Sequence, residues 1–128
     1  MNIEEIRGFA LSLPHASERC PFGPDTLSFE IGGKMFCLLD LSGESTFYNV
    51  KVAPELGVEL KERFACINSG YHFNKKHWVS IDLNSDLPPA LEKEILRHAY
   101  YCTAKGLTMK VRRELGLTDG ADHIPELY

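Results

Sequence analysis

"LSFEIGGKMFCLLDL", residues 27–41, is the stretch that decides the fold of this chain. Its first part alternates apolar residues with Ser28 and Glu30, which is the period of a strand with one buried face. Gly32-Gly33 is a two-residue hairpin signal. The residues at 34–41 are apolar on both faces, which indicates a strand in the interior of a sheet. The stretch therefore predicts two antiparallel strands near the centre of a sheet.

Helical periodicity and turn residues on either side of this hairpin predict the other elements. A capping box formed by Asn2 and Glu5 begins the first helix, and Pro14 ends it. Residues 14–26 are rich in turn formers and are expected to form a loop. The remaining predicted elements, in chain order, are a strand at 45–52, a helix of about ten residues from Pro54, an irregular segment at 65–70, a strand that includes Val79, Ile81 and Leu83, a long helix from Pro88-Pro89 to Gly106 that Ser85 or Asp86 caps, and a short helix from Thr108.

This order of elements predicts an α+β fold. Strands joined by hairpins form an antiparallel sheet, here a meander, and the helices are expected to cover one face of it. The chain has 128 residues, of which 44% are hydrophobic and 25% charged, as in an ordinary globular protein. We expect a single domain over residues 1–116, followed by an acidic tail at 117–128.

Several classes of protein are disfavoured by what the sequence lacks. No stretch approaches the ~20 apolar residues of a membrane span, and the first residues carry no basic segment typical of a signal peptide. The expected location is therefore the cytoplasm. Four scattered cysteines without a C-x-x-C pair indicate free thiols and disfavour zinc: Cys20, Cys37, Cys66 and Cys102.

Motifs of catalysis and cofactor binding are also missing. The sequence contains no Walker loop, G-x-S-x-G or H-E-x-x-H motif, and no spacing that places a cysteine, a histidine and an orienting group together. We therefore expect a protein that is not an enzyme and has no cofactor. The oligomeric state stays open.

Charge is distributed unevenly along the chain. The net charge is −4, which disfavours strong non-specific binding to nucleic acid. Residues 71–116 are nevertheless net basic, with eight lysines and arginines against five acids, whereas residues 117–128 hold three acids and no base. The basic segment indicates where a polyanion would bind.

The basic segment opens with "YHFNKKHWVSIDL", residues 71–83. If Val79 and the alternate residues after it face the helices, Trp78 points to the opposite face of the sheet and His77 to the core side. An exposed tryptophan could stack on a base, worth ~1–3 kcal/mol. Alternatively, Trp78 packs on neighbouring aromatic rings, and the polar residues before it satisfy backbone groups in a turn.

Metal binding near this segment is a weaker hypothesis. His72 and His77 are five residues apart at a turn-to-strand junction, which is not a standard spacing of metal ligands. Glu4 and Glu5, at the start of the first helix, are a second pair of possible metal ligands. Their favourable interaction with the helix dipole is the simpler explanation for two acids at that position.

Several short motifs together resemble the MmcQ/YjbR family over most of residues 1–116. They are Gly33-Lys34-Met35-Phe36, Val50-Lys51 with Pro54-Glu55, Asn74-Lys75 with His77-Trp78, Tyr100, and Lys110-Val111-Arg112. The resemblance implies a frataxin-like α+β fold with a double-wing arrangement and a DNA-binding function.

Two function classes follow from the sequence. The first is a small DNA-binding protein that binds weakly and in a salt-sensitive manner. The second is a non-catalytic module for a protein or small ligand, in which the same residues hold the fold and Lys34 and Lys51 are simply solvated. The residues predicted to contact DNA are Lys34, Lys51, Asn74, Lys75, Lys76 and Trp78.

Overall fold

Six strands form one antiparallel sheet in the computed structural model, which describes residues 1–70 and 74–116. The strands lie in the order β1-β2-β3-β4-β6-β5. Their bounds are β1 (Ser17–Arg19), β2 (Thr26–Ile31), β3 (Lys34–Asp40), β4 (Phe47–Lys51), β5 (Ile67–Ser69) and β6 (Trp78–Asp82). The predicted α+β fold with an antiparallel sheet is confirmed.

The β2–β3 hairpin has the predicted turn. Ile31 pairs with Lys34 across Gly32 and Gly33, whose φ angles are 59° and 83°. These angles are unfavourable for side chains with a Cβ, which explains the glycine pair. The register then shifts so that Phe36 is an extra residue between paired positions of β3. This bulge allows Phe36 and Cys37 both to be fully buried.

Four helices accompany the sheet in residues 1–70 and 74–116, and the longest of them supplies much of the core. Their bounds are α1 (Ile3–Ser12), α2 (Pro54–Arg63), α3 (Pro89–Lys105) and α4 (Met109–Glu114). Tyr100 of α3 meets the ring of Phe36 edge to face, with centroids 5.7 Å apart. Gly57 of α2 lies against the core-facing side chains of Val52 and Val79. Helices and apolar strand residues therefore share one side of the sheet.

The sequence-based prediction missed two strands and one cap. The segment at 14–26, expected to be a loop, contains β1, and the irregular segment at 65–70 contains β5. Both are three-residue edge strands whose polar composition carries no periodic signal, so pairing with β2 and β6 decides their conformation. The N-cap of α3 is Pro88 instead of Ser85 or Asp86.

Other predicted boundaries agree with the structure. Asn2 and Glu5 form the expected reciprocal capping box at α1, and the Thr108 side chain caps α4 by accepting from the Val111 N–H. The proposed tail at 117–128 lies outside the described residues. Within the described residues, no helix is both long and apolar enough to cross a membrane.

Candidate functional site

The predicted binding residues meet at one end of the sheet. Because β3 and β4 are antiparallel with Cys37 opposite Val50, the first residue of β3, Lys34, lies at the same end as Lys51, the last residue of β4. Lys51 in turn pairs with Trp78, the first residue of β6. The structure thus brings together side chains that are far apart in the sequence.

Asn74 shapes the turn that presents two lysines at this end. Its side-chain oxygen accepts from the Lys76 N–H at 2.9 Å, and its carbonyl accepts from the His77 N–H at 3.1 Å. The His77 carbonyl accepts from the Val52 N–H at 2.9 Å, which fixes the turn to the end of β4. Lys75 and Lys76 are exposed. Asn74 is therefore a turn residue in this structure, as the structural alternative predicted.

Trp78 does not have the exposed position that the stacking hypothesis requires. It is 8% exposed, and other side chains on its face of the sheet, Leu38 and Ser80, are buried too. Gly70 explains part of this burial, because its backbone N–H donates to the Trp78 carbonyl and a Cβ on Gly70 would lie 2.7 Å from that of Trp78. The prediction that Trp78 lies on an uncovered face is wrong.

His77 also differs from expectation. It is exposed and precedes β6, so it does not share the core side with Val79. His72, the other histidine of the metal hypothesis, lies outside the described residues. Among the residues that the structure describes, no three His, Cys, Asp or Glu side chains are grouped to hold a metal ion.

Further basic residues that the sequence analysis did not select lie at the same end of the sheet. The Lys34 Nζ donates to the Gly106 carbonyl at 3.0 Å. Gly106 directly follows Lys105, the last residue of α3, so Lys105 also lies at this end. Gly32 lies so close to Leu107 and Val111 that α4 must pack against the β2–β3 hairpin. This packing adds the exposed side chains of Lys110 and Arg113.

We refer to this group as the basic end, and its members are Lys34, Lys51, Lys75, Lys76, Lys105, Lys110 and Arg113. All are exposed except Lys51, which is half-buried. Arg112 is excluded because it is buried and donates towards the Met109 sulfur. Glu55 and Glu114 are acids on the helices at this end. Glu30, which pairs with Met35 and forms an ion pair with Arg19, is a third acid at this end. The seven basic residues of the basic end therefore face three acids.

The opposite end of the sheet is acidic. The pairs Thr26–Asp40 and Phe47–Asp82 place two aspartates there. The adjoining loops add further acids, so we refer to this group as the acidic end, and its members are Asp25, Asp40, Glu44, Asp82 and Asp86. Between Arg19 and Lys51 the only lysine or arginine is Lys34. Arg63, the last residue of α2, also lies at this end, because the chain then enters β5 with Ile67 opposite Ile81. The acids outnumber it, so the fold separates charge along the strand direction, which periodicity along the sequence does not reveal.

A cysteine and a histidine of α3 lie in contact near the start of α2, close to the basic end. The Cys102 Sγ is 3.3 Å from the Nε2 of His98, and this same Nε2 accepts the Ala53 N–H at 3.0 Å. Burial raises the pKa of the Cys102 thiol and lowers the pKa of His98 to about 4. Both groups are therefore neutral at pH 7, whereas a nucleophilic cysteine requires a thiolate. The pair joins the start of α2 to α3.

Comparison with known proteins agrees with an α+β protein built on an open antiparallel sheet. A protein-family model described as YjbR matches residues 11–102. The uncharacterized protein YbdF of Escherichia coli O157:H7 is 30% identical over 112 residues, which cover 88% of this chain and 92% of that protein. The chain belongs to the YjbR family.

Other relatives agree with this assignment. The uncharacterized protein YjbR of Escherichia coli K12 is 23% identical over 115 residues, covering 90% of this chain and 97% of that protein. The crystal structure of Deinococcus radiodurans protein DR2400 superposes with a TM-score of 0.82 at 37% identity over 95% of each chain. A Pseudomonas syringae protein with a TM-score of 0.69 and 24% identity, covering 80% of this chain and 99% of its own, shares the fold.

Proposed function

We propose that this chain is a small DNA-binding protein that contacts the phosphate backbone through the basic end. The observation that supports the proposal most is the clustering of basic side chains from five separate parts of the chain at one end of the sheet. Lysine and arginine contacts to phosphate supply most of non-specific DNA affinity. The DNA function that the family resemblance implies points the same way.

Each predicted residue has a separate role in this proposal. Lys75, Lys76 and Lys51 would contact phosphates, and Asn74 would hold the turn that presents the two exposed lysines. Lys34 is anchored on the Gly106 carbonyl, which places its charge at the end of α3. Trp78 supports the surface from beneath and does not contact a base. Since stacking is then absent, we expect affinity near the non-specific range of roughly 10⁻⁴–10⁻⁶ M.

The function proposed for this chain does not include catalysis. The Cys102–His98 pair is the arrangement closest to a catalytic one among the described residues, and its neutral thiol and histidine oppose nucleophilic catalysis. The His98 nitrogen nearest the sulfur already accepts a backbone N–H, so its role is structural.

The test is a titration of duplex DNA at two salt concentrations. Replacing Lys75 and Lys76 by Ala is expected to weaken binding and to reduce the slope of log K against log [salt] by about 2, because each phosphate contact contributes roughly −0.9. Unfolding stability should change by less than about 0.5 kcal/mol, since both side chains are exposed.

The matched control is Lys61→Ala with Lys93→Ala. It removes the same charge from residues outside the basic end: Lys61 lies in the last turn of α2, and Lys93 lies over the Phe9 ring. We expect its affinity to remain within about twofold of the unaltered chain, since the phosphates are contacted elsewhere. Equal losses in the two double variants would contradict a local site. If the unaltered chain does not bind DNA at low salt, the proposed function is wrong.

A further inference from the structure

The acidic end carries exposed apolar side chains in addition to its charge. Phe22 is 62% exposed and Leu41 is 44% exposed. Both lie near Asp25, because Phe22 is three residues before it and the Leu41 N–H donates to the Asp25 carbonyl at 2.6 Å. Large apolar side chains that are exposed and rimmed by polar ones are typical of surfaces that contact another protein.

The basic end has the complementary composition. Met109, the first residue of α4, is 52% exposed, and Lys110 and Arg113 of the same helix are exposed beside it. Each end of the sheet therefore presents an apolar group among charges, and the prevailing sign of the charge is opposite at the two ends. Complementary charge of this kind selects and orients partners. One molecule thus carries both halves of a complementary contact.

The two ends cannot meet within one chain. Lys34 and Asp40 are the first and last residues of β3, so the length of this strand holds the ends about 20 Å apart. A contact between the ends must therefore join two copies through two different surfaces. Such a contact leaves one acidic end and one basic end free, so association continues into a row or closes into a ring.

We propose that copies of this chain associate head to tail, with the acidic end of one copy, including Phe22 and Leu41, bound to the basic end of the next copy. A second copy is the partner because this chain itself supplies the matching charge and the exposed Met109. The proposal goes beyond DNA binding and does not depend on it. We expect a dissociation constant on the order of 10⁻⁴ M, since exposed ion pairs contribute little each.

The first experiment is analytical ultracentrifugation of the unaltered chain up to a concentration of about 1 mM, above the expected dissociation constant. At about 0.01 M salt the average mass should rise from the 14.4 kDa of one chain to at least about twice that value, and it should return to one chain at about 1 M salt. A constant mass at low salt overturns the proposal. A mass that rises equally at both salt concentrations also overturns it, because charge would then not hold the copies together.

The second experiment identifies the surfaces that meet. The acidic-end variant Asp25→Asn with Glu44→Gln keeps its basic end, and the basic-end variant Lys75→Ala with Lys76→Ala keeps its acidic end. Each variant alone should associate at least about fivefold more weakly than the unaltered chain, whereas an equimolar mixture should form pairs that contain one copy of each. If either variant associates like the unaltered chain, or if the mixture forms no pairs, the head-to-tail contact is wrong.

The third experiment tests the apolar part of the contact. Phe22→Ser should weaken association at least about threefold, because it removes an apolar side chain from the interface. The matched control is Val58→Ser, which removes a side chain that is 53% exposed within α2 and should change association by less than about twofold. Both positions are exposed, so neither substitution disturbs the core. Equal effects of the two substitutions would overturn the assignment of the contact to the acidic end.

Discussion

Trp78 is buried partly because a glycine directly after the neighbouring strand lies against it. Gly70 follows β5, and its backbone N–H donates to the Trp78 carbonyl at 3.2 Å. Any side chain at position 70 would collide with the Cβ and the backbone of Trp78. Trp78 is the cross-strand neighbour of Lys51 on β4 and is buried, so it supports the strand end that carries this lysine.

Replacing Trp78 by Ala should destabilise the whole protein. A buried tryptophan that is truncated to alanine typically costs ~3–5 kcal/mol, and we expect this loss in the free energy of unfolding measured with urea. Phe22→Ala is the control, because Phe22 is 62% exposed and its loss should stay within about 0.5 kcal/mol. A Trp78→Ala variant with unchanged stability and weakened DNA binding would restore the stacking hypothesis.

At the scale of elements, α4 and Leu107 just before it pack on the turn of the β2–β3 hairpin. Both turn glycines have positive φ, but their surroundings differ. A Cβ on Gly32 would lie 2.8 Å and 2.9 Å from the two methyl groups of Leu107, whereas a Cβ on Gly33 would meet nothing within 4 Å. A substitution at Gly33 therefore introduces backbone strain alone, whereas a substitution at Gly32 introduces the same kind of strain and also disturbs the packing of α4.

We expect Gly33→Ala to lower the free energy of unfolding by about 1–2 kcal/mol, the cost of left-handed backbone for a residue with a Cβ. Gly32→Ala should cost more than Gly33→Ala and should also raise the amide hydrogen exchange of α4, because Leu107 must move. Urea unfolding and exchange measured by NMR give the two quantities. Equal costs with unchanged exchange would show that α4 does not depend on this contact.

A second junction between elements is the hydrogen bond from the Ala53 N–H to His98. Burial lowers the pKa of His98 to about 4, below the ~6.5 of the unfolded chain. On acidification the unfolded state takes up the proton first, so the contribution of His98 is complete above about pH 6.5 and is lost as the pH falls towards 4. The join between α2 and α3 should therefore weaken in mild acid.

We expect this loss to be on the order of 2–3 kcal/mol between pH 7 and 4. The control is His98→Gln, which can still accept from the Ala53 N–H but does not titrate. The comparison is the difference in unfolding free energy between the two proteins at each pH, which removes the titration of the acids they share. A difference that does not change with pH would contradict the assignment to His98.

At the scale of the whole molecule, Glu92 ties distant parts of the chain together. Its fully buried carboxylate accepts from the α-ammonium group of Met1 at 3.0 Å and from the Tyr48 hydroxyl at 2.6 Å. Burial and the neighbouring carboxylate raise the pKa of Tyr48, so the phenol keeps its proton and donates it. One side chain thus holds the start of the chain, β4 and α3 in register.

Glu92→Gln should lower the free energy of unfolding by about 3–5 kcal/mol, because it leaves the buried ammonium without its counter-ion. Tyr48→Phe, which removes one hydrogen bond and keeps the ion pair, should cost only about 1–2 kcal/mol. Chemical denaturation at pH 7 gives both values. A Glu92→Gln cost below about 1 kcal/mol would mean that the ion pair does not hold these elements together.

Elements governed by local chemistry could be predicted from the sequence. The turn at Gly32-Gly33, the capping box of Asn2 and Glu5 and the start of α4 at Thr108 each depend on residues within a few positions of one another. The same holds for the strand phase that turns Val79 and Ile81 towards the helices, since alternation is an inherent property of an extended chain. The α+β class follows from these local signals in sequence order.

Pairing between distant segments decided the rest. The polar strands β1 and β5 exist because β2 and β6 offer them backbone partners, and Trp78 is buried where Gly70 approaches it. The basic end is assembled in the same way: its lysines and arginines come from β3, β4, the turn before β6, α3 and α4. The sequence determined the charge of each segment, but only antiparallel register and the packing of α4 on the hairpin brought these charges to one end, because electrostatic surfaces depend on distances in space and not along the chain.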